Sequence, residues 1–182
     1  MASQALQSFN HVIQDAVDLL AHFDAINSQP PPDSAEVLKR ASLVMALAAL
    51  ETYIEDRISE AVGQVVGRDG SGGRIQEFYL DSLQNDLRYF HTPTPDRVGR
   101  LFEKYLRINV FEGWAWNNYD QVRAKKHLSA IAKKRGDIAH RSLRPVGGQA
   151  SAHAVTREDL RKHIRFIQDL AAATDRYIEA NL

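Results

Sequence analysis

Apolar side chains in this 182-residue chain recur every three or four positions nearly from end to end, and no stretch alternates apolar and polar residues between turn signals. The first period belongs to one face of an α-helix and the second to a half-buried strand, so the pattern predicts an all-α fold, a bundle of five or six helices. The first helix is expected over about Ser3 to Asn27, with Leu6, Phe9, Ile13, Val17, Leu20 and Phe23 on its apolar side. Pro30-Pro31-Pro32 ends it, because proline nitrogens cannot donate and the residue before each ring is pushed out of the helical region. Asp33, with Glu36 three residues on, is an N-cap for a central helix over 33–66 whose inward stripe reads Val37, Val44, Leu47, Ile54, Ile58 and Val62.

The glycine-rich run Gly67 to Gly73 reads as a flexible connection. It lacks the Gly-Lys-Ser/Thr ending and the preceding strand of a nucleotide-hydrolase phosphate loop. Two shorter helices, Arg74 to Phe90 and Thr94 to Ile108, are separated by His91-Thr92-Pro93 and are expected to cap one end of the bundle. In Trp114-Ala115-Trp116 an extended backbone would point both indoles the same way; core or cap packing is favoured over base stacking. A further helix is expected over 119–144, ended by Pro145-Val146-Gly147-Gly148, and a last one over 156–181, capped by Thr156 with Asp159 three residues on.

A chain of this length with 44% hydrophobic residues can bury one good core, and residues 1–182 are most economically one domain. The longest uncharged apolar stretch, Leu43 to Leu50, is too short to span a bilayer, and Met1 to Val17 lacks a basic start followed by an apolar run. A soluble, cytoplasmic protein is expected. The absence of cysteine removes disulfides, zinc-thiolate sites and cysteine nucleophiles together.

Charge is balanced overall, 23 basic against 23 acidic residues, yet Arg123 to Arg144 holds eight basic residues and one acid. Neutrality argues against a broad nucleic-acid coat, and the local patch argues for a confined contact with phosphate. Within it, Leu128, Ile131, Ile138 and Ser142 lie on one line of the helix, and Arg135 lies on that line too. A guanidinium on an inward line needs a carboxylate, a phosphate or a solvated groove. Glu51, four residues after Leu47 and three before Ile54, also lies inward, and Glu51 with Arg135 is the preferred internal ion pair. The alternative role for Glu51 is to hold the bundle in register.

His140 follows Arg135 by five residues, about 140° round an ideal helix, so the two side chains flank a groove. Gly136 costs roughly 1 kcal/mol relative to alanine in a helix interior, which suggests close approach to the backbone there, by a second copy of the same helix for instance. A two-fold pairing would line one cleft with two Arg and two His. Lys133, Lys134 and Arg141 continue the cationic surface, and Lys126 and His127 extend it toward a substrate backbone. The competing reading is a solvated basic face. His11, His22, His91, His127, His153 and His163 show no ligand-like spacing to carboxylates, so no metal site is expected, and Ser129 and Ser142 lack a nucleophile elbow.

Arg135-Gly136-Asp137-Ile138-Ala139-His140-Arg141, following a helix with Leu50-Glu51-Thr52-Tyr53-Ile54-Glu55-Asp56, resembles the HEPN superfamily, and particularly its RiboL-PSP type, over about Ser34 to Tyr177. Gly136 stands where the family usually has a polar residue, and Asp137 follows it. The resemblance implies a helical bundle that dimerises to form a composite site, and many members are metal-independent endoribonucleases of toxin, antiviral or RNA-processing systems. It places Arg135 and His140 at the catalytic positions, with Glu51, Gly136 and Asp137 supporting. No cofactor is implied; the implied partners are a second copy, RNA, and an antitoxin or other regulatory protein. The alternative is a non-catalytic HEPN-type module that binds a nucleotide, an RNA or a protein through the same groove.

Overall fold

The computed structural model of the protein describes residues 2–28, 32–69, 73–141 and 155–182. Helices α1 (Gln4–Val12) and α2 (Gln14–Ile26) lead to the 37-residue α3 (Asp33–Asp69). After α4 (Arg74–Leu87) and α5 (Pro95–Leu106) comes a 3-10 turn, Val110–Gly113, then α6 (Gln121–Arg141) and α7 (Arg157–Asn181). Among the described residues there is no strand, only an isolated bridge between Trp116 and Tyr119. The all-α expectation therefore holds, and α3 is central: α1, α2, α4, α5, α6 and α7 all pack on it. The two expected helix stops at Pro30-Pro31 and Pro145 to Gly148 lie outside the described residues, as do Ser142 and His153.

One expected helix is two. The rod over 3–27 breaks at Ile13, whose angles stay helical (φ −63°, ψ −18°), and neither proline nor glycine is present there. Tertiary ties set the bend. The Gln4 and Ala5 amides donate to Glu60 at 3.3 and 3.1 Å, and the Ser3 amide donates to Asp175 Oδ2 at 3.2 Å, fixing α1. The Ser42 hydroxyl donates to the Ala16 carbonyl at 2.6 Å, fixing α2 along α3.

The centre of the molecule contains an ion pair on a line that periodicity passes over. Arg57 is fully buried, its Nε 3.0 Å from Asp175 Oδ1 and its Nη2 donating to Glu179 Oε1 at 2.8 Å, so α3 and α7 are joined by charge as well as by packing. The Ser3 hydroxyl also donates to Asp175 Oδ1. Tyr53 donates to the Ala171 carbonyl at 3.0 Å, and Trp114 Nε1 donates to Thr174 Oγ1 at 2.9 Å. These bonds offset much of the desolvation of the groups that make them, while Arg57 Nη1 is buried with no hydrogen-bond partner among the described residues.

Helix α5 is built into the body, with Val98, Leu101, Phe102 and Tyr105 buried, whereas Leu83 is the one fully buried residue of α4. The expected two-helix cap is thus α4 alone. The 3-10 turn wedges between α5 and α7, which two glycines permit. A Cβ on Gly99 would lie 2.5 Å from Phe111 Cζ, and one on Gly113 would lie 2.3 Å from Tyr177 Cβ. Trp114 is completely buried beside Phe111, as core packing requires.

Candidate functional site

Helix α6 owes its placement to Ala124, Leu128, Ile131, Ala132 and Ile138, which are buried and seat it against α3 and α5. Arg135 lies on that inward line at a half-buried position, and His140 is exposed. Among the described residues neither forms an ion pair or side-chain hydrogen bond. The preferred internal pair of Glu51 with Arg135 is therefore corrected: no contact within ion-pair distance joins them. Glu51 is half-buried on α3 and lies in the combined field of Arg135, His91 and Arg97. Burial raises its carboxyl above the ordinary value, and the three cations only oppose that rise. Glu55, next on the same face, is raised by burial and then by Glu51.

A carboxylate held near cations yet paired with none weakens the register role. A residue that stabilised the bundle would show the reverse balance, with attraction exceeding desolvation. Gly136 is half-exposed, and a Cβ there would meet nothing within 4 Å, so nothing in this chain exploits its missing side chain. Asp137 and Lys134 are half-buried, and Lys126 and Lys133 are exposed. Arg141 ends α6, and its side chain lies outside what the structure describes. The other basic residues of the helix are engaged: Arg123 Nε sits 3.6 Å from Asp120, and Lys125 Nζ lies 4.7 Å above the Phe111 ring.

His127 belongs to a different cluster. Its Nδ1 is 2.5 Å from the Tyr119 hydroxyl and its Nε2 is 3.0 Å from His163 Nδ1, so both ring nitrogens are committed within the chain. The ring stacks on Phe166 at 4.2 Å, with Tyr119 and Trp116 stacked beyond it. Burial pushes His127 below its ordinary value. Burial, then the neighbouring His127 and Lys134, brings His163 down to about 4. Both rings are neutral at neutral pH, and the consistent proton assignment has Tyr119 donating to His127 and His127 donating to His163. Sequence spacing gives no sign of this pair, since the two histidines are 36 positions apart on separate helices.

A half-buried arginine and an exposed histidine flank an open glycine on a helix packed against the central α3 of an all-α bundle. The all-α bundle is the fold expected of a HEPN-type domain. The chain belongs to the RiboL-PSP-HEPN family, which it matches over residues 11–180. No match was found among curated proteins or among solved structures. Membership suggests a ribonuclease or RNA-binding role, and domains of this type commonly dimerise and bind RNA. Among the described residues no helix is long and apolar enough to cross a membrane.

Proposed function

We propose that the protein is a metal-independent endoribonuclease acting through a composite Arg135-x4-His140 site formed where two copies meet. The observation that carries this reading is the state of α6: Arg135 and His140 are unpaired among the described residues, and Gly136 between them leaves backbone open to an incoming surface. A two-fold pairing presents the same patch from each subunit, bringing two such pairs together. Glu51, beside Arg135 and short of contact with it, orients the guanidinium once phosphate enters.

In the proposed step the ribose 2′-oxygen attacks the adjacent phosphorus, the 2′-proton passes to an imidazole, and the bond from phosphorus to the 5′-oxygen breaks. The leaving 5′-oxygen takes a proton, from the second imidazole where both His140 rings line the cleft. Arg135 stabilises the charge on the pentavalent phosphate with its planar, permanently charged fork. Imidazole is the side chain suited to both proton transfers near neutrality. Lys126, Lys133, Lys134 and Arg141 supply contacts to the RNA backbone. Such an activity suits the effector of a toxin or phage-defence module in the cytoplasm, restrained by an antitoxin or other regulatory protein.

The test is incubation of the protein with mixed single-stranded and transfer RNA in excess chelator, reading fragment ends. Fragments ending in 2′,3′-cyclic phosphate are expected from the wild type and not from His140→Ala or Arg135→Ala, with the dimer retained in both. Cleavage that survives both substitutions refutes the assignment. Intact RNA with saturable binding would instead make the protein a non-catalytic binding module.

A further inference from the structure

We propose that the groove between α4 and α5 is a nucleotide subsite for single-stranded RNA, in which Tyr89 stacks on a base and Arg97 and Arg100 hold flanking phosphates. The inference rests on the ribonuclease reading for its substrate and extends it to a surface outside the Arg135 and His140 pair. Three observations meet there.

The first is an unexplained aromatic. Tyr89 follows the end of α4 and is 77% exposed, while Phe90 beside it is buried and anchors the backbone. Among the described residues its ring packs on no other ring and its hydroxyl has no hydrogen-bond partner. A solvent-facing ring on a backbone anchored by its buried neighbour is a stacking platform, and every base has a face to offer it.

The second is charge. Tyr89 lines a cavity of about 420 Å³ with Arg97, Arg100 and Lys104 along α5 and Asp86 opposite, a volume in the range of small-molecule sites. Asp86 is already satisfied: Lys104 Nζ is 2.6 Å away, and Tyr105 donates to it at 2.9 Å. The Lys104 hydrogen bond is the main reason its carboxyl stays below the ordinary range. Two guanidinium groups are left without an ion-pair partner among the described residues. Planar forks of this kind bind phosphate oxygens in pairs.

The third is continuity. Arg97, which lines the cavity, and Arg135 on α6 both act on the Glu51 carboxyl, as does His91 from the connection between α4 and α5. The groove and the α6 motif therefore share Glu51 as a common electrostatic neighbour, and the proposed path of the strand runs between them. A strand whose scissile phosphate sits at Arg135 can lay its neighbouring nucleotides along that path. The arrangement suits an unpaired strand, since a base within a duplex cannot reach the Tyr89 ring.

The experiment measures binding of a labelled single-stranded RNA of about ten nucleotides to the full chain carrying His140→Ala, by fluorescence anisotropy in chelator over a range of salt. Tyr89→Ala is expected to weaken binding about tenfold with an unchanged salt dependence, and Tyr89→Phe to restore it. Arg100→Ala is expected to lower the slope of log affinity against log salt by about 0.7, the contribution of one phosphate contact on a single strand. Both positions are exposed, so neither change removes core packing. Parent-like binding in both variants, equal losses in Tyr89→Ala and Tyr89→Phe, or no RNA binding by the parent would each overturn the subsite. The same RNA is incubated with chains retaining His140 to separate the two readings. Cleavage with no dependence of binding on Tyr89 refutes the subsite alone, and Tyr89-dependent binding without cleavage refutes the nuclease alone.

Discussion

Gly136→Ala separates what this chain does for itself at α6 from what a second copy would do there on the proposed reading. Gly136 lies inside α6 without a positive φ, and its added Cβ would meet nothing within 4 Å. Within one subunit the methyl group therefore meets no obstacle and removes a conformational liability of about 0.5–1 kcal/mol. For a chain of this size that corresponds to a rise of roughly 1–4 °C in Tm. If two copies of α6 meet at Gly136, the same methyl group is inserted twice, once from each side. At about 1–3 kcal/mol for each overpacked group, the dimer should weaken by at least about tenfold. The assay is sedimentation over a dilution series with melting curves at each concentration, because association raises Tm by mass action. Expected are a higher Tm in the dilute limit, a weaker dimer, and cleavage that falls in step with the dimer. A lower Tm in the dilute limit would refute the reading of open space around Gly136. An undiminished dimer with full cleavage would refute close approach of a second copy there.

Three further outcomes follow from the geometry. Asp175→Ala leaves Arg57 buried beside Glu179 alone and removes the acceptor for both Ser3 bonds; a loss of about 3–5 kcal/mol is expected by chemical denaturation, and a change below about 1 kcal/mol would show that water replaces the pair. Glu51→Gln removes a carboxyl that burial holds above its ordinary value; because the raised value makes ionisation unfavourable to folding as pH rises, the variant should melt no lower than wild type at pH 8 while cleaving less. A melting point clearly below wild type would return Glu51 to the register role. His163 is held at about 4 against an ordinary value of 6.5, so the unfolded chain takes up its proton first and stability declines as pH falls from about 6.5 to 4. The difference corresponds to about 3 kcal/mol, and to about 2 after solvent screening of a half-buried ring. His163→Gln should flatten that decline in melting curves at pH 7.5, 6 and 4.5, and an unchanged slope would exclude this ring as its source.

Helix α3 is legible in the sequence only in part. The helical period identified it as the central element and placed its start at Asp33, because a long apolar repeat has one simple interpretation. It did not resolve the axis of the buried face. Leu47, Ile54, Ile58 and Val62 of the expected stripe are buried, Val37 is exposed and Val44 half-buried, and Leu43, Ala46, Leu50, Tyr53, Arg57 and Ala61 are buried as well, so the buried face is wider than one stripe. A helix packed by neighbours on nearly every side carries apolar residues on several adjacent lines, and the period cannot choose among them. Glu51 lies on the expected inward line, yet it is half-buried while Arg57 is fully buried. The partner Asp175, 118 positions away on α7, is joined to Arg57 only by the fold.

That correction also bears on the site. Polar residues on inward lines can be counted from a sequence, but whether each finds a partner depends on which helices meet. Arg57 finds Asp175 and Glu179, and His127 finds Tyr119 and His163; these groups are architecture, tied to partners inside the chain. Arg135 and Glu51 sit on comparable lines, feel one another's charge, and stop short of contact. Desolvating a cation and a carboxylate without joining them costs stability that the single chain does not recover. On the proposed reading a third charge enters beside them, a phosphate held by Arg135 with Glu51 behind it. It is the missing contact in this one pair, against the ion pairs and hydrogen bonds made by the others, that supports the proposal of the α6 face as the site of substrate contact.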